Sequence, residues 1–323
     1  MIKLNKKILA TILLTTSLFS YANAKTYTNC KFKDDLNKTA CLKMVKKGVS
    51  YQFANEILLS EKSKKRDEVT LRLFKPKMLT HHKKQEKKAN NVLIKKVGIV
   101  LEHIKEYKEV YDYVETKYKV NREIIASILL KETHIGKIKL KHDAFVALNS
   151  LYRELEEDSP RNKRLKKMGL NNIVYIAQYC DKNKITVKNC NFPSSYAGAT
   201  GIPQFMPMNF YLVKGYKNSK GDLNKMEDAI VSTANYLNKR AKFKKLINLA
   251  KFNILRYEEN KWYEYQSKNY KATFNKKSEK CYTCNKKEFD YINTYVNKIK
   301  KYNYSDNYAI GVLSIAYTAY SLR

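Results

Sequence analysis

Apolar residues recur at steps of three and four along most of this chain, and this spacing restricts its fold more than any other feature. From Val97 to Tyr118, seven apolar or aromatic residues follow one helix face. Only nine Gly and five Pro occur in 323 residues, so few positions interrupt such helices. Strand patterns are short, as at Lys184–Lys188 and Trp262–Phe274. The sequence therefore predicts a mainly α fold.

Further helices are predicted from the same spacing and from residues that favour helix ends. Asn121 is a good N-cap with Glu123 in the first turn, and Gly136 supplies a stop. The other predicted helical segments are Asn29–Ser60, Ala144–Leu155, Leu170–Cys180, Met226–Leu237, Phe289–Lys301 and Tyr308–Tyr320.

The N-terminus has the pattern of a cleavable export signal. Lys3, Lys6 and Lys7 precede the uncharged run Ile8–Phe19, and Ala22-Asn23-Ala24 fits an A-x-A cleavage site. The run of twelve residues is short for a membrane span, which needs about 20. We therefore predict a signal peptide over residues 1–24 and a periplasmic protein, with an uncleaved N-terminal anchor as the alternative.

Export gives the six cysteines a structural interpretation. All follow the predicted cleavage site, and they form three local pairs, which in an oxidising compartment predicts disulfides. The last pair is a CxxC, for which a redox pair or half of a zinc site is the alternative. The pairs are Cys30 with Cys41, Cys180 with Cys190, and Cys281 with Cys284.

The formal net charge of +34 suggests nucleic-acid binding, but no motif that reads DNA or RNA accompanies it. The charge is densest in Lys62–Lys96, where thirteen Lys and Arg face only Asp67, Glu68 and Glu86. A contact with an anionic polymer is one interpretation of this segment. A solvated basic linker is the interpretation that we favour.

A glutamate extends the apolar stripe of the helix predicted to begin at Asn121. Ile125, Ile128, Leu129 and Glu132 share one face at helical spacing. Burial disfavours the charged form of a carboxyl group and raises its pKa, which suits a general acid near neutral pH. The alternative is a structural Glu132 that pairs with one of the many lysines.

Small residues are concentrated in segment 194–207, which holds two of the nine Gly and two of the five Pro. Such residues let a backbone pass close to another segment or to a ligand. Gln204 can both donate and accept a hydrogen bond, as recognition of a sugar hydroxyl or acetamide requires. The alternative is a tightly packed turn between helices.

Four segments, taken in order, resemble the membrane-bound lytic murein transglycosylase B family, whose core is lysozyme-like. The resemblance covers roughly residues 43 to 323. The segments are Glu132-Thr133-His134-Ile135-Gly136, Ser195-Tyr196-Ala197-Gly198-Ala199-Thr200-Gly201 with Gln204-Phe205-Met206-Pro207, Asp228-Ala229-Ile230 with Ala234-Asn235-Tyr236, and Tyr302-Asn303-Tyr304-Ser305-Asp306-Asn307-Tyr308-Ala309.

The resemblance implies that Glu132 is a single catalytic acid/base. It would cleave the β-1,4 bond between N-acetylmuramic acid and N-acetylglucosamine and leave 1,6-anhydro ends. The residues fit this reaction, because the next acid along the chain, Asp143, carries no sign of a nucleophile, and an intramolecular hydroxyl needs no activated water. The resemblance also implies substrate contacts by Ser195, Gln204, Tyr236, Tyr302, Asn303, Tyr308 and Arg161.

One departure from the family concerns calcium. The family member used for comparison has an acidic calcium loop before its Asp-Ala-Ile segment, whereas Lys214–Asp222 holds one carboxylate here. Calcium loops need several oxygen ligands. We therefore predict no metal and no cofactor.

The predicted fold is mainly α (α+β, lysozyme-like), with a helical catalytic core, an N-terminal helical extension and a small Cys-containing insertion. The predicted organisation is a signal peptide (1–24), a helical region with a basic linker (25–96), the catalytic core (97–239), a variable insertion with the CxxC (240–300), and a C-terminal motif and helix that complete the core (301–323).

The leading functional prediction is a periplasmic, monomeric lytic transglycosylase whose partners are peptidoglycan glycan strands, not nucleic acid. Its positive surface is compatible with a peripheral contact to the wall or the membrane. One alternative is a non-catalytic peptidoglycan-binding or scaffolding protein of an envelope complex. A secreted nucleic-acid binder and a two-carboxylate hydrolase are the others.

Overall fold

The computed structural model describes residues 30–252 and 286–323, and these residues are mostly helical. Two short strands, β1 (His142–Asp143) and β2 (Pro193–Ser194), pair antiparallel. The helices are α1 (Asp35–Lys46), α2 (Tyr51–Leu59), α3 (Glu61–Lys64), α4 (Glu68–Leu73), α5 (Met78–Ile94), α6 (Val97–Glu106), α7 (Lys108–Tyr118), α8 (Arg122–Thr133), α9 (Ala144–Glu154), α10 (Pro160–Lys182), α11 (Met226–Lys239), α12 (Lys286–Ile299) and α13 (Asp306–Ser321). The predicted mainly α fold is confirmed.

The chain forms two compact units. The first draws its described residues from Met1–Leu73, Lys141–Ala199 and Met206–Phe210. Its core is built around the α9 and α10 helices and includes the buried side chains of Met44 and Phe145. Burying such large apolar side chains stabilises a unit by roughly 1.5–3 kcal/mol each before entropy is counted.

Two disulfides lie in the first unit, and both join cysteines that the sequence pairs. Cys30 bonds to Cys41, and Cys180 bonds to Cys190. The second bridge closes the loop after α10. The predicted strand at Lys184–Lys188 is wrong, because the chain turns there with a positive φ at Lys184 and a 3-10 turn at Val187–Asn189.

The second unit comprises Phe74–Leu140, Thr200–Phe205 and the described residues of Tyr211–Arg323. Its core surrounds α8, in which nine residues are buried. The α13 helix packs on α8 and buries ten of its own residues. The helix that carries Glu132 is therefore central to this unit.

The single helix predicted from Val97 to Tyr118 is divided at Tyr107. The backbone of Tyr107 leaves helical geometry, so α6 ends at Glu106 and α7 begins at Lys108. The ring of Tyr107 lies against the buried ring of His103, with centroids 4.8 Å apart. Apolar periodicity continues through the break, which is why the sequence did not show it.

The basic segment 62–96 is largely helical. It contains α4 and all of α5, a helix of 17 residues. This helix packs against α13 through Asn90, which is buried in a segment otherwise rich in lysine. The hydrogen-bond partners of Asn90 and Glu86 on α5 lie more than 200 residues away in sequence, and the charge pattern does not indicate them.

Three sequence predictions fall outside the described residues: the signal peptide, the Cys281–Cys284 pair and the strand at Trp262–Phe274. Among the residues that the structure does describe, no helix combines the length and the apolar character that a membrane crossing requires.

Candidate active site

The helix α8 places Glu132 in its last turn. The chain enters α8 from Asn121, whose side-chain amide bonds to the backbone N–H and C=O of Ile247 instead of capping the helix. The chain leaves α8 through His134 and Gly136, both with positive φ, so the helix ends abruptly after Thr133. This turn holds Glu132 at the point where a buried helix reaches the surface of the unit.

The small-residue segment is fastened directly behind this turn. The hydroxyl of Thr133 donates to the carbonyl of Ile202 over 2.8 Å and accepts from the N–H of Gly136 over 3.0 Å. A Cβ on Gly136 would contact the Ile202 side chain at 3.4 Å. The local geometry therefore ties Glu132 to segment 200–205.

Segment 200–205 is itself a tight turn. Thr200 and Phe205 exchange backbone hydrogen bonds of 2.9 and 3.0 Å. Gly201 adopts φ +69°, and a Cβ there would lie 2.3 Å from the Cβ of Leu223, so no larger residue fits. Gln204 also has positive φ and donates from Nε2 to the carbonyl of Gly201 over 2.9 Å.

A row of aromatic rings runs from this turn to Glu132. The hydroxyl of Tyr308 donates to Oε1 of Glu132 over 2.6 Å. Tyr302 stacks on Tyr308 with centroids 6.3 Å apart, and Tyr236 meets Tyr302 at 4.8 Å. Phe205 lies 5.4 Å from Tyr236. Helices α8, α11 and α13 therefore bring predicted site residues together.

Backbone carbonyls fix the tyrosine rings in place. The hydroxyl of Tyr302 donates to Pro203 and that of Tyr236 donates to Lys301, each over 2.5 Å. Burial raises the pKa of both phenols above the usual value. They therefore stay neutral hydrogen-bonding groups at physiological pH.

Glu132 is only partly accessible to solvent, and its environment favours the protonated form. Burial raises the pKa of its carboxyl to about 7. The hydrogen bond from Tyr308 and the charge of Lys131 oppose this rise, and the charge of Glu86 adds to it. A carboxyl with this pKa can give and recover a proton near neutral pH, as a general acid/base must.

The remaining predicted residues occupy other positions. Asn303 is exposed, and its Oδ1 accepts from the N–H of Ser305 over 3.2 Å. Ser195 and Arg161 belong to the first unit. Ser195 closes a turn with Ala199 through a backbone bond of 2.9 Å. Arg161 lies in the first turn of α10, and within the described residues its buried Nη1 has no hydrogen-bond partner.

Sequence reasoning missed three residues around Glu132: Glu86, Asn90 and Lys131. Lys131 donates to Oδ1 of Asn90 over 2.5 Å, and Glu86 accepts from the hydroxyl of Ser305 over 2.5 Å. The one signal for the α5 residues is that Glu86 is an isolated acid in a strongly basic segment. The sequence offers nothing that links it to Glu132.

A cleft in the second unit lies elsewhere. It has a volume of about 840 Å³, is lined by α6, α7, the loop before α11 and the start of α11, and includes none of the predicted site residues. The arrangement around Glu132 identifies the candidate site by its chemistry and not by its volume.

Comparison with solved structures identifies the fold. The Escherichia coli lytic transglycosylase Slt35 in complex with bulgecin A is 24% identical, with 64% of each chain covered and a TM-score of 0.51. The Slt35 complex with calcium gives the same identity and coverage and a TM-score of 0.50. SltB3 from Pseudomonas aeruginosa, in complex with NAG-anhNAM-pentapeptide, is 16% identical, with 66% of this chain and 53% of SltB3 covered and a TM-score of 0.49.

The chain thus has the lysozyme-like fold of lytic transglycosylases, and it spans only 53 to 64% of the length of these relatives. No curated protein sequence matches it significantly. The sequence profile described as the transglycosylase SLT domain matches residues 31–317. The chain belongs to this transglycosylase SLT domain family.

The loop before α11 does not suit calcium. The buried carboxylate of Asp228 accepts from the N–H groups of Tyr216 and Asp222 over 2.7 and 2.9 Å and from the hydroxyl of Ser219 over 3.2 Å. Within the described residues, no three His, Cys, Asp or Glu side chains converge as metal ligands. Protein donors occupy the carboxylate that a cation would need.

Proposed function

We propose that the protein is a peptidoglycan lytic transglycosylase that uses Glu132 as its single acid/base. The observation that carries this proposal is the carboxyl of Glu132, whose pKa burial raises to about 7 while Tyr308 donates to its Oε1. Membership in the transglycosylase SLT domain family supports the same assignment. The bond cleaved is the β-1,4 link between N-acetylmuramic acid and N-acetylglucosamine.

The reaction uses two proton transfers, one from Glu132 to the substrate and one from the substrate to Glu132. Protonated Glu132 gives its proton to the glycosidic oxygen as the bond to C1 of the muramic acid residue breaks. The resulting carboxylate then takes the proton of the C6 hydroxyl, and that oxygen attacks C1. The products are a free 4-hydroxyl and a 1,6-anhydro end, and no water is consumed. Positioning of the C6 hydroxyl replaces activation of a water molecule.

Tyr308 contributes at the stage when Glu132 is ionised. Its hydroxyl donates to Oε1, so it stabilises the carboxylate that forms after the first proton transfer. The buried Tyr308 ring stacks on Tyr302, and this packing fixes the direction of the hydroxyl. The second proton transfer then regenerates the neutral acid.

The predicted substrate contacts complete the proposal. Tyr236 and Tyr302 present amphipathic rings beside Glu132, and such rings suit the partly apolar faces of sugars. Glycan strands would also contact the other predicted residues, Ser195, Gln204, Asn303 and Arg161. We also propose a periplasmic location, which the predicted signal peptide supports, and a monomeric state.

Glu86 makes hydrolysis the alternative to be tested. The charge of this second carboxylate acts on Glu132, and ordinary glycosidases use two carboxyl groups to activate water. In this structure Glu86 accepts from Ser305 over 2.5 Å, which assigns it a role in holding the start of α13.

The experiment is digestion of purified sacculi followed by mass spectrometry of the released muropeptides. The proposal expects 1,6-anhydro ends from the wild type and none above background from Glu132→Gln. Reducing ends would instead show hydrolysis. Equal anhydro release by both proteins would remove Glu132 from the mechanism, and binding without any release would support the scaffolding alternative.

A further inference from the structure

We propose that Lys131 is a positioning residue for Glu132 and Tyr308, held in place by Asn90 of the basic helix α5. The inference rests on the proposed function and adds to it a residue that acts through its neighbours. The Lys131 ammonium donates to Oδ1 of Asn90 over 2.5 Å and lies 5.1 Å from the centroid of the Tyr308 ring. That ring carries the hydroxyl that bonds to Glu132.

Asn90 is fixed from two sides, so it can hold the ammonium in one place. It is 8% exposed, and its Nδ2 donates to the carbonyl of Asn307 over 2.8 Å. A Cβ on Gly311 would lie 2.1 Å from its Oδ1. The glycine therefore allows α5 to approach α13 closely enough for Asn90 to reach Lys131.

Glu86 lies one turn earlier on α5 and secures the same end of α13. The hydroxyl of Ser305 donates to Glu86 and accepts from the N–H of Tyr308 over 3.2 Å, which caps α13. Glu86 therefore bonds to Ser305 and Asn90 bonds to Asn307, and both partners lie just before Tyr308 at the start of α13. The α5 helix, from the most basic segment of the chain, frames the candidate active site.

The charge of Lys131 gives the arrangement a chemical effect. The groups that act on Glu132 are Lys131 beside it on α8, Glu86 on α5, and Tyr302 and Tyr308, the latter on α13. Lys131 is the cation among them, and it favours the ionised carboxyl that burial disfavours. An ammonium at this position would keep Glu132 acidic enough to release its proton.

Neutral substitutions separate this role from simple packing. Lys131→Met keeps the aliphatic stem, Lys131→Gln keeps a donor for Asn90, and Lys131→Arg keeps the charge. Lys105→Met, on the exposed face of α6, is the matched control. Anhydro-end release is followed from pH 4 to 9 for each protein, with kcat and KM determined separately.

We expect both neutral variants to move the alkaline limb of the rate profile upward by about half to one pH unit, because they remove a nearby positive charge. We expect kcat to fall about tenfold with little change in KM, because the Tyr308 ring loses its contact with the Lys131 ammonium. Lys131→Arg and Lys105→Met should keep the wild-type limb. A neutral variant that folds and keeps both the limb and kcat would overturn the proposal.

A carboxyl titration by ¹³C NMR distinguishes failure of this inference from failure of the proposed function. The Glu132 resonance is measured in the same variants and needs no enzyme activity. If the wild type releases no anhydro ends, the proposed function fails. A higher midpoint of the Glu132 titration in Lys131→Met and Lys131→Gln would still support the role of Lys131. An unchanged midpoint would contradict it.

Discussion

The two ends of α8 carry two glutamates, one buried and one partly buried, in different environments. Glu123, in the first turn, is 2% exposed and bonds to the guanidinium of Arg323 over 2.8 Å. Glu132, in the last turn, has a neutral hydroxyl as its bonding partner. The helix N-terminus favours negative charge and the C-terminus disfavours it. One helix therefore stabilises an ion pair at one end and a carboxyl poised to exchange a proton at the other.

Burial alone does not make a glutamate a catalytic acid, as Glu123 and Glu132 show. Burial raises the pKa of both carboxyl groups, but Arg323 opposes the rise at Glu123. At Glu132 the opposing groups are Tyr308 and Lys131, and the pKa still reaches about 7. The partner of Glu123 is a guanidinium, which favours the ionised carboxyl, whereas the hydroxyl that bonds to Glu132 is neutral.

The largest expected effect compares Glu132→Gln with Glu123→Gln. We expect the first to lower anhydro-end release by about 10³-fold or more, within the range that loss of a general acid usually causes. The second should stay within about threefold of wild type, because its partner Arg323 has no part in the reaction. Muropeptide release rates at pH 6 measure both. Equal losses would mean that the two ends of α8 do not differ as proposed.

Tyr308→Phe tests the partner at the catalytic end. The variant removes the hydroxyl donor but keeps the ring that stacks on Tyr302. We expect about a tenfold loss of rate, as one charge-assisted hydrogen bond is lost. The alkaline limb should move to higher pH, since this bond lowers the pKa of Glu132. A wild-type rate and profile would remove Tyr308 from the mechanism.

The stability of Glu132→Gln should depend on pH in a defined direction. In the unfolded chain the carboxyl ionises near 4.5, while in the folded protein it ionises at about 7. Between these values the unfolded state binds fewer protons, so wild-type stability falls as pH rises and stays lowered above pH 7. Removing the acid should raise stability by about 1–2 kcal/mol at pH 8, after allowing for the lost hydrogen bond to Tyr308.

Urea unfolding at pH 4 and pH 8 measures this difference. At pH 4 both states hold the proton, so the gain should disappear. Glu123→Gln is the matched control, and its change between the two pH values should be smaller because Arg323 compensates the charge. A gain of equal size at both pH values would show that the effect does not arise from ionisation of Glu132.

The smallest expected effect is the response of the wild-type thermal midpoint to calcium. Asp228 accepts from Tyr216, Ser219 and Asp222, so EDTA and millimolar calcium should each shift the thermal midpoint by less than about 1 °C. Asp228→Asn should lower stability by about 1–3 kcal/mol, because these buried donors lose their acceptor. A calcium-dependent rise of several degrees in the wild type would contradict this description of the loop.

Local patterns were sufficient to predict the mainly α fold and the two disulfides. The apolar stripe of α8 ends in Glu132, whereas Tyr302 and Tyr308 were expected near it only from the resemblance to the lytic transglycosylase family. The roles of Asn90 and Glu86 were not predictable, because their contacts with Asn307 and Ser305 span more than 200 residues. Such pairings depend on how helices pack, which helical periodicity does not encode.

The break at Tyr107 and the turn after α10 show the same limit at shorter range. Periodicity reports which face of a helix is apolar, but it does not report whether the backbone continues as one helix. At Lys184 a disulfide-closed loop overrides a weak strand preference. Tertiary constraints decided both segments.

The most direct test is a pH titration of the Glu132 carboxyl by ¹³C NMR, with the resonance assigned by its absence in Glu132→Gln. We expect a midpoint of about 7 in the folded protein. A midpoint close to 4.5, the ordinary value for a glutamate, would contradict the claim that α8 holds a proton ready for transfer.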